Sequence, residues 1–206
     1  MVSNKDWTGN KSSAFACNGA VGHALGEREQ HDYYATDPKA AELLLELEPQ
    51  VNNIWENACG EGHLAEVFAK AGKLSMATDL INRGYKSECP SVLCGKLDFF
   101  KVDKHWAGDI VTNPPYKYAQ EWVEHSLNLM TEGRFLCLFL KLTFLEGKAR
   151  KKLFEENPPI RVWVSSSRIN CAKGGQFETC GSHAIAFAWF IWQKGYKGDT
   201  VVKWFN

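Results

Sequence analysis

Four consecutive residues, Asn113-Pro114-Pro115-Tyr116, can together hold a planar amino group. The Asn113 side-chain oxygen and the Pro114 carbonyl can accept its two hydrogens, and the Tyr116 ring supplies a stacking face. The prolines fix φ near about −65° and donate no hydrogen bond, which keeps the loop rigid. The apolar run before them, Asp109-Ile110-Val111-Thr112, reads as a buried parallel strand, so the motif stands at a strand's carboxyl end. A strand that simply ends in a Pro-Pro turn is the alternative. The rest of the chain supplies companion parts for the chemical reading.

The first companion is Ile54-Trp55-Glu56-Asn57-Ala58-Cys59-Gly60-Glu61-Gly62-His63-Leu64. A short strand runs into a glycine turn, and Gly62 opens an amphipathic helix with Leu64, Val67, Phe68 and Ala71 on one face. Small residues there let a ligand approach the backbone, and the free amides of the helix start favour a polar or anionic group. The longer G-x-G-x-x-G spelling of dinucleotide enzymes is not met, because position 65 is Ala65. A second strand, 73–80, ends near Asp79, about twenty residues beyond the turn, where a carboxylate can accept both hydroxyls of a ribose. Its alternative is a strand-end Asp that caps a turn. Third comes Leu97-Asp98-Phe99-Phe100, after Val92-Leu93-Cys94: the Asp98 carboxylate can accept from an adenine amine, and Phe99 can cover the ring.

With these residues in view, the chain resembles the class I S-adenosylmethionine-dependent amino-group methyltransferases, and among them the small phage- or prophage-encoded DNA adenine methyltransferases. The matching stretches are Asp32-Tyr33-Tyr34-Ala35-Thr36-Asp37-Pro38, the glycine turn, Ala77-Thr78-Asp79-Leu80, Leu97 to Phe100, the NPPY motif, and the segments 139–150 and 184–192. The resemblance implies S-adenosyl-L-methionine as cofactor, contacted by Tyr34, Thr36, Glu56, Ala58, Gly60, Gly62, Asp79, Leu80, Asp98 and Phe99. It also implies that Asn113, Pro114, Pro115 and Tyr116 form the catalytic loop. Asn57 departs from the family, which has Pro there, and the departure is expected to loosen the turn. No segment is large enough for a separate target-recognition domain, so sequence specificity is expected to be short or relaxed unless a second subunit helps.

The elements that must position these residues alternate between strand and helix. A polar arm (1–31) precedes a single domain (32–206). Its first helix, Pro38 to Glu48, turns Leu43, Leu44 and Leu47 inward, with Pro38 at a first helical position after Thr36 or Asp37 as cap. Strands are expected near 52–57, 73–79, 92–98, 109–113, 134–141, 160–166 and 184–193, and helices over 62–72, 117–131 and 145–156. The fold class is α/β: a doubly wound, mostly parallel seven-stranded sheet of Rossmann-like methyltransferase type, with ligands at the carboxyl ends of its strands. No helical pattern separates the last two strands, so that pair can be antiparallel.

Composition agrees. The 206 residues suit one buried α/β core, and 24 Lys and Arg balance 24 Asp and Glu, so any nucleic-acid site must be a local patch. The amino terminus carries no secretory signal and the apolar stretches are too short to span a bilayer, which predicts a cytoplasmic protein that does not bind membranes. Seven cysteines read as reduced, mostly core residues. Cys171, Cys180 and His183 have spacings too loose for a zinc site, so no metal is expected.

An aromatic amine is a poor nucleophile because its lone pair is conjugated into the ring. Hydrogen bonds to Asn113 and Pro114 favour a pyramidal nitrogen aimed at the methyl sulfonium. Transfer is then an in-line displacement driven by positioning, without a strong base. A DNA base must be flipped out to reach such a pocket. Carbon-5 methylation of cytosine is not expected: it needs a cysteine nucleophile behind proline, and Cys59 and Cys89 do not fit. Phosphate contacts are expected from Arg168 and Lys173 in the loop 165–179, or from Lys148, Arg150, Lys151 and Lys152. Planar amides share the geometry of the amine, so an RNA base or a protein glutamine amide is an alternative substrate. A catalytically silent nucleic-acid-binding module of the same fold is a third reading.

Overall fold

The strand Asp109–Thr112 (β5) is buried along its whole length, and its first residue explains how it is aligned. The Asp109 carboxylate, 1% exposed, accepts from the backbone amides of Asn52 at 2.7 Å and Phe135 at 2.9 Å, tying β5 to the segments on either side. Residues 35–167, 169, 171–172 and 185–206 are described by the computed structural model. The amino-terminal arm, Tyr34, Arg168, Lys173, Cys180 and His183 lie outside them.

The remaining strands are β1 (Ala35–Thr36), β2 (Ile54–Glu56), β3 (Leu74–Asp79), β4 (Leu93–Lys96), β6 (Phe135–Lys141), β7 (Arg161–Ser165), β8 (Cys171–Ala172), β9 (Phe187–Gln193) and β10 (Val201–Phe205). The helices are α1 (Lys39–Leu47), α2 (His63–Lys70), α3 (Ala119–Leu129) and α4 (Lys148–Glu156). The main sheet has the order β10-β7-β9-β6-β5-β2-β3-β4, and β9 alone runs antiparallel to its neighbours β6 and β7. Strand order reverses between β2 and β5, which opens a crevice at their carboxyl ends.

The apolar runs of β6 and β9 are continuous because the sheet is covered on both faces. Phe139, Trp189 and Leu44 of α1 belong to one buried cluster; Leu138, Phe190 and Trp122 of α3 belong to the other. On α1, Asp37 accepts from the Lys39 amide at 2.9 Å, so it caps the helix with Pro38 at the first position. Leu44 is fully buried, while Leu43 and Leu47 pack at the cluster's edge.

Among the described residues the main sheet has eight strands where seven were expected. The extra strand, β10, lies parallel to β7 at the edge, and its residues 201–204 are exposed, so it carries no buried alternation to reveal it. The two-residue strands β1 and β8 pair antiparallel in a separate small sheet and are too short for any periodic signal. A 3₁₀ turn, Leu142–Leu145, delays the start of α4 to Lys148. Cys94 is exposed rather than in the core, because β4 is the opposite edge of the sheet.

Candidate active site

A cavity of about 400 Å³ occupies the crevice. That lies within the range of roughly 300–1,000 Å³ usual for small-molecule sites. The turns after β2 and β3, the segment after β4 and the loop after β5 all contribute to its wall.

The turn after β2 is built on two left-handed glycines, Gly60 with φ 55° and Gly62 with φ 87°. Gly62 has a second reason to be glycine: a Cβ there would lie 2.0 Å from a ring carbon of Tyr85. Tyr85 reaches on to donate its hydroxyl to Glu66 at 3.2 Å. The close approach at Gly62 is therefore made by Tyr85. Ala58 and Cys59 line the cavity, whereas Gly60 and Gly62 are not among its lining residues. Burial, reinforced by Glu56 and Asp79, pushes the Cys59 thiol far up, so it supplies no thiolate nucleophile.

Glu56, at the end of β2, is 2% exposed and lines the cavity. Burial, with the nearby Asp79 charge adding to it, holds its carboxyl well above the usual 4.5, while a hydrogen bond from the Ala65 backbone works the other way. Its Oε2 is buried without a hydrogen-bond partner among the described residues. Asp79, at the end of β3, is held by three donors: Gly60 N at 2.8 Å on Oδ2, and Ile81 N at 2.8 Å and the Arg83 guanidinium at 3.1 Å on Oδ1. A carboxylate offers about four lone-pair sites, so among the described residues one stays open and a second requires Arg83 to move. The double acceptance expected of Asp79 is thus reduced to a single open position.

After β4, Asp98 caps the 3₁₀ turn Phe99–Lys101, accepting from Phe100 N at 3.2 Å, and pairs with Lys101 at 3.4 Å. Phe99 is 3% exposed and stacks on Trp122 with centroids 4.6 Å apart, so it works mainly as core. The neighbouring Phe100, 40% exposed, presents its ring at the cavity wall together with Leu80, 50% exposed. Asn57 does not loosen its turn. Fully buried, it accepts from Trp122 Nε1 at 3.0 Å and so fastens the turn to α3.

The loop after β5 closes the other side, with Asn113, Pro114, Pro115 and Tyr116 all lining the cavity. Asn113 Nδ2 donates to Thr36 Oγ1 at 2.6 Å, which fixes the amide and turns its oxygen away from Thr36. Tyr116 opens a 3₁₀ turn, Tyr116–Tyr118, that leads directly into α3. Its ring packs beside Phe187 at 6.0 Å, and Lys141 Nζ lies 4.6 Å from its centroid.

The structure thus brings Thr36, Glu56, Ala58, Asp79, Leu80, Asp98, Phe99 and the NPPY loop to one cavity. Lys148 is exposed at the start of α4 and does not line it. The other cations of that helix are engaged within the chain. Arg150 donates to the Phe144 carbonyl at 2.8 Å and to that of Glu146, and Lys151 and Lys152 pair with Glu155 and Glu156 at 3.5 and 3.6 Å. Sequence reading missed Arg83, Phe100, Lys117, Tyr118 and Trp122, all of which line the cavity. Lys117 and Tyr118 directly follow the NPPY motif, which is the signal available for them. Among the described residues no group of three His, Cys, Asp or Glu can hold a metal ion, and no helix is long and apolar enough to cross a membrane.

Neither a family model nor a curated protein matches the chain. Solved structures do match. The type IIG restriction endonuclease BpuSI superposes with a TM-score of 0.59 at 12% identity, over 83% of this chain and 27% of its own. The 23S rRNA methyltransferase ErmE gives a TM-score of 0.54 at 15% identity, over 80% of this chain and 71% of its own. A SAM-dependent O-methyltransferase from Thermotoga maritima gives 0.51 at 14% identity, over 79% and 67%. The chain spans under half the length of several longer matching proteins. At these identities the likeness is one of fold, and that fold is the Rossmann-like fold of class I S-adenosylmethionine-dependent methyltransferases.

Proposed function

We propose that the chain is an S-adenosylmethionine-dependent methyltransferase acting on the exocyclic amino group of adenine in DNA. One observation carries the reading: the NPPY loop and the strand-end acids Glu56, Asp79 and Asp98 line the same cavity. The residues fit the cofactor. The partnerless buried Oε2 of Glu56 is an acceptor suited to an α-ammonium group. Asp79 keeps an acceptor position for a ribose hydroxyl, and Leu80 and Phe100 offer apolar faces to an adenine beside Asp98. When bound, the cofactor supplies an electrophilic methyl group on a sulfonium.

The chain's own contribution is positional. The Asn113 oxygen and the Pro114 carbonyl accept the two amino hydrogens, and Tyr116 stacks on the flipped base. Thr36 keeps the Asn113 amide from turning over, so the acceptor meets the amine in one orientation. Fixed dipoles of the loop replace part of the solvent reorganisation that the free reaction requires. The test is incubation with tritiated cofactor and, separately, duplex DNA, single-stranded DNA, RNA and protein extract. Label in adenine of DNA supports the reading. Label confined to RNA or protein rejects its substrate, and absence of label with intact cofactor binding indicates a silent module.

A further inference from the structure

The two lysines that flank the NPPY loop are held by rings rather than by acids. Lys141 Nζ lies 4.6 Å from the Tyr116 centroid, and Lys117 Nζ lies 4.6 Å from that of Tyr118. Neither is in an ion pair among the described residues, whereas Lys101, Lys151 and Lys152 each reach a carboxylate. An ion pair cancels a charge, but an aromatic quadrupole holds a cation without cancelling it. These charges stay available to an incoming anion.

Their placement is also specific. Tyr116, Lys117 and Tyr118 line the cavity, and Tyr118 is 42% exposed. Lys141 ends β6, the strand paired with β5 on the side of the loop. Two rings and two uncancelled cations, each cation held against one of the rings, therefore gather at and beside the cavity wall. We infer that this cluster is a track for an unpaired nucleic-acid strand, with Tyr116 and Tyr118 stacking on bases and Lys141 and Lys117 meeting phosphates. The inference rests on the nucleic-acid reading above and narrows it to a locally single-stranded segment. Rings that accept any base, interleaved with cations that follow the backbone, are what single-strand binding requires. A glutamine amide in a peptide needs neither the cations nor the second ring. A base arriving on the Lys141 side of Tyr116 displaces the ammonium, which is then free to meet a phosphate of the same strand.

The test uses the full chain and labelled oligonucleotides: single-stranded DNA, RNA of the same sequence, and the DNA duplex, each titrated over a range of salt. Single strands are expected to bind more tightly than duplex, with the tighter of the two naming the sugar. The double variant Lys117→Gln/Lys141→Gln is expected to lose about 1.4 units of salt slope, at about 0.7 per phosphate on a single strand. Arginine at both positions should restore the slope. Tyr118→Ala should weaken binding by roughly 5- to 150-fold, the loss of one base stack, with the slope unchanged. Thermal midpoint and cofactor titration report that each variant is folded. Wild-type slope and affinity in the double variant, or tighter binding of duplex than of either single strand, overturn the track and leave the nucleic-acid reading standing. A wild-type chain that binds no oligonucleotide and labels only glutamine peptide overturns both.

Discussion

Asn113 and Glu56 divide the chemistry of the cavity between an amide fixed in place and a carboxyl that burial biases toward its protonated form. Asn113 is anchored through its nitrogen to Thr36, a partner 77 positions away in the chain. If its oxygen holds the amine only as the nitrogen becomes pyramidal, the contact belongs to the transition state. Asn113→Ala is then expected to cut turnover by about 10²-fold or more and to leave cofactor affinity near the wild-type value. Steady-state kinetics beside calorimetric titration separate the two effects, and a fully active variant would refute the role. Glu56 works in the opposite sense. Its carboxyl is raised above 4.5 in the folded chain, so between 4.5 and that higher value the folded state holds a proton that the unfolded state has lost. Stability therefore falls as pH rises through that window. Glu56→Gln keeps the acceptor for the Ala65 amide and removes the titration. The ligand-free variant is expected to melt at a higher temperature at neutral pH and to show a flatter dependence of melting temperature on pH. Its cofactor affinity should drop by about 1.5–3 kcal/mol, the cost of losing a charge-assisted hydrogen bond. A variant that melts lower at every pH would show that the carboxylate is stabilising after all.

At the scale of elements, Glu48 joins the end of α1 to β7. It is 1% exposed and accepts from Arg161 at 2.5 and 2.6 Å and from Trp163 Nε1 at 2.7 Å. Burial works to raise its pKa, but the hydrogen bonds of Arg161, Trp163 and Gln50 outweigh it and hold the carboxyl below its usual value. That stabilisation is present above the unfolded pKa and fades as pH falls through the lower folded one. Glu48→Gln leaves the Arg161 guanidinium without its counter-charge and is expected to destabilise by about 3 kcal/mol, read as a lower urea midpoint at neutral pH. No such pairing was legible in the sequence. Apolar runs of the right length announced β2 to β7 and β9, and caps such as Asp37-Pro38 announced α1, because these signals are local. Glu48 with Arg161 is separated by 113 positions and Asn57 with Trp122 by 65, and nothing in the spacing of polar residues links such pairs before the chain folds. The same holds for the site. The residue types at or just after strand ends marked Asp79, Asp98 and Asn113, while Glu56 was implied by the resemblance alone. The occupation of Asp79 by Arg83 and of the space at Gly62 by Tyr85 arises only when the loop after β3 folds back over the turn.

The molecule as a whole balances its charges, 24 against 24, so its surface behaviour is decided locally. The outer edge of the main sheet is β10, where Val201, Val202 and Trp204 are 46%, 42% and 68% exposed. An open edge of apolar residues invites pairing with another chain, and a lysine within it is a common guard. Lys203 holds that position, with its ammonium 5.3 Å from the Trp163 centroid. Lys203→Val is expected to speed aggregation, followed by light scattering at fixed protein concentration, without altering cofactor affinity; unchanged scattering would mean the edge is protected by other means. The upward shift of the Glu56 carboxyl has a counterpart in heat. A cation that docks on Glu56 draws its carboxyl into the charged form, so a proton must leave for the solvent. The enthalpy measured on adding cofactor will then depend on the buffer that takes up that proton. Plotted against buffer ionisation enthalpy, it gives a line whose slope counts the protons released, up to one per chain, and Glu56→Gln should flatten that line.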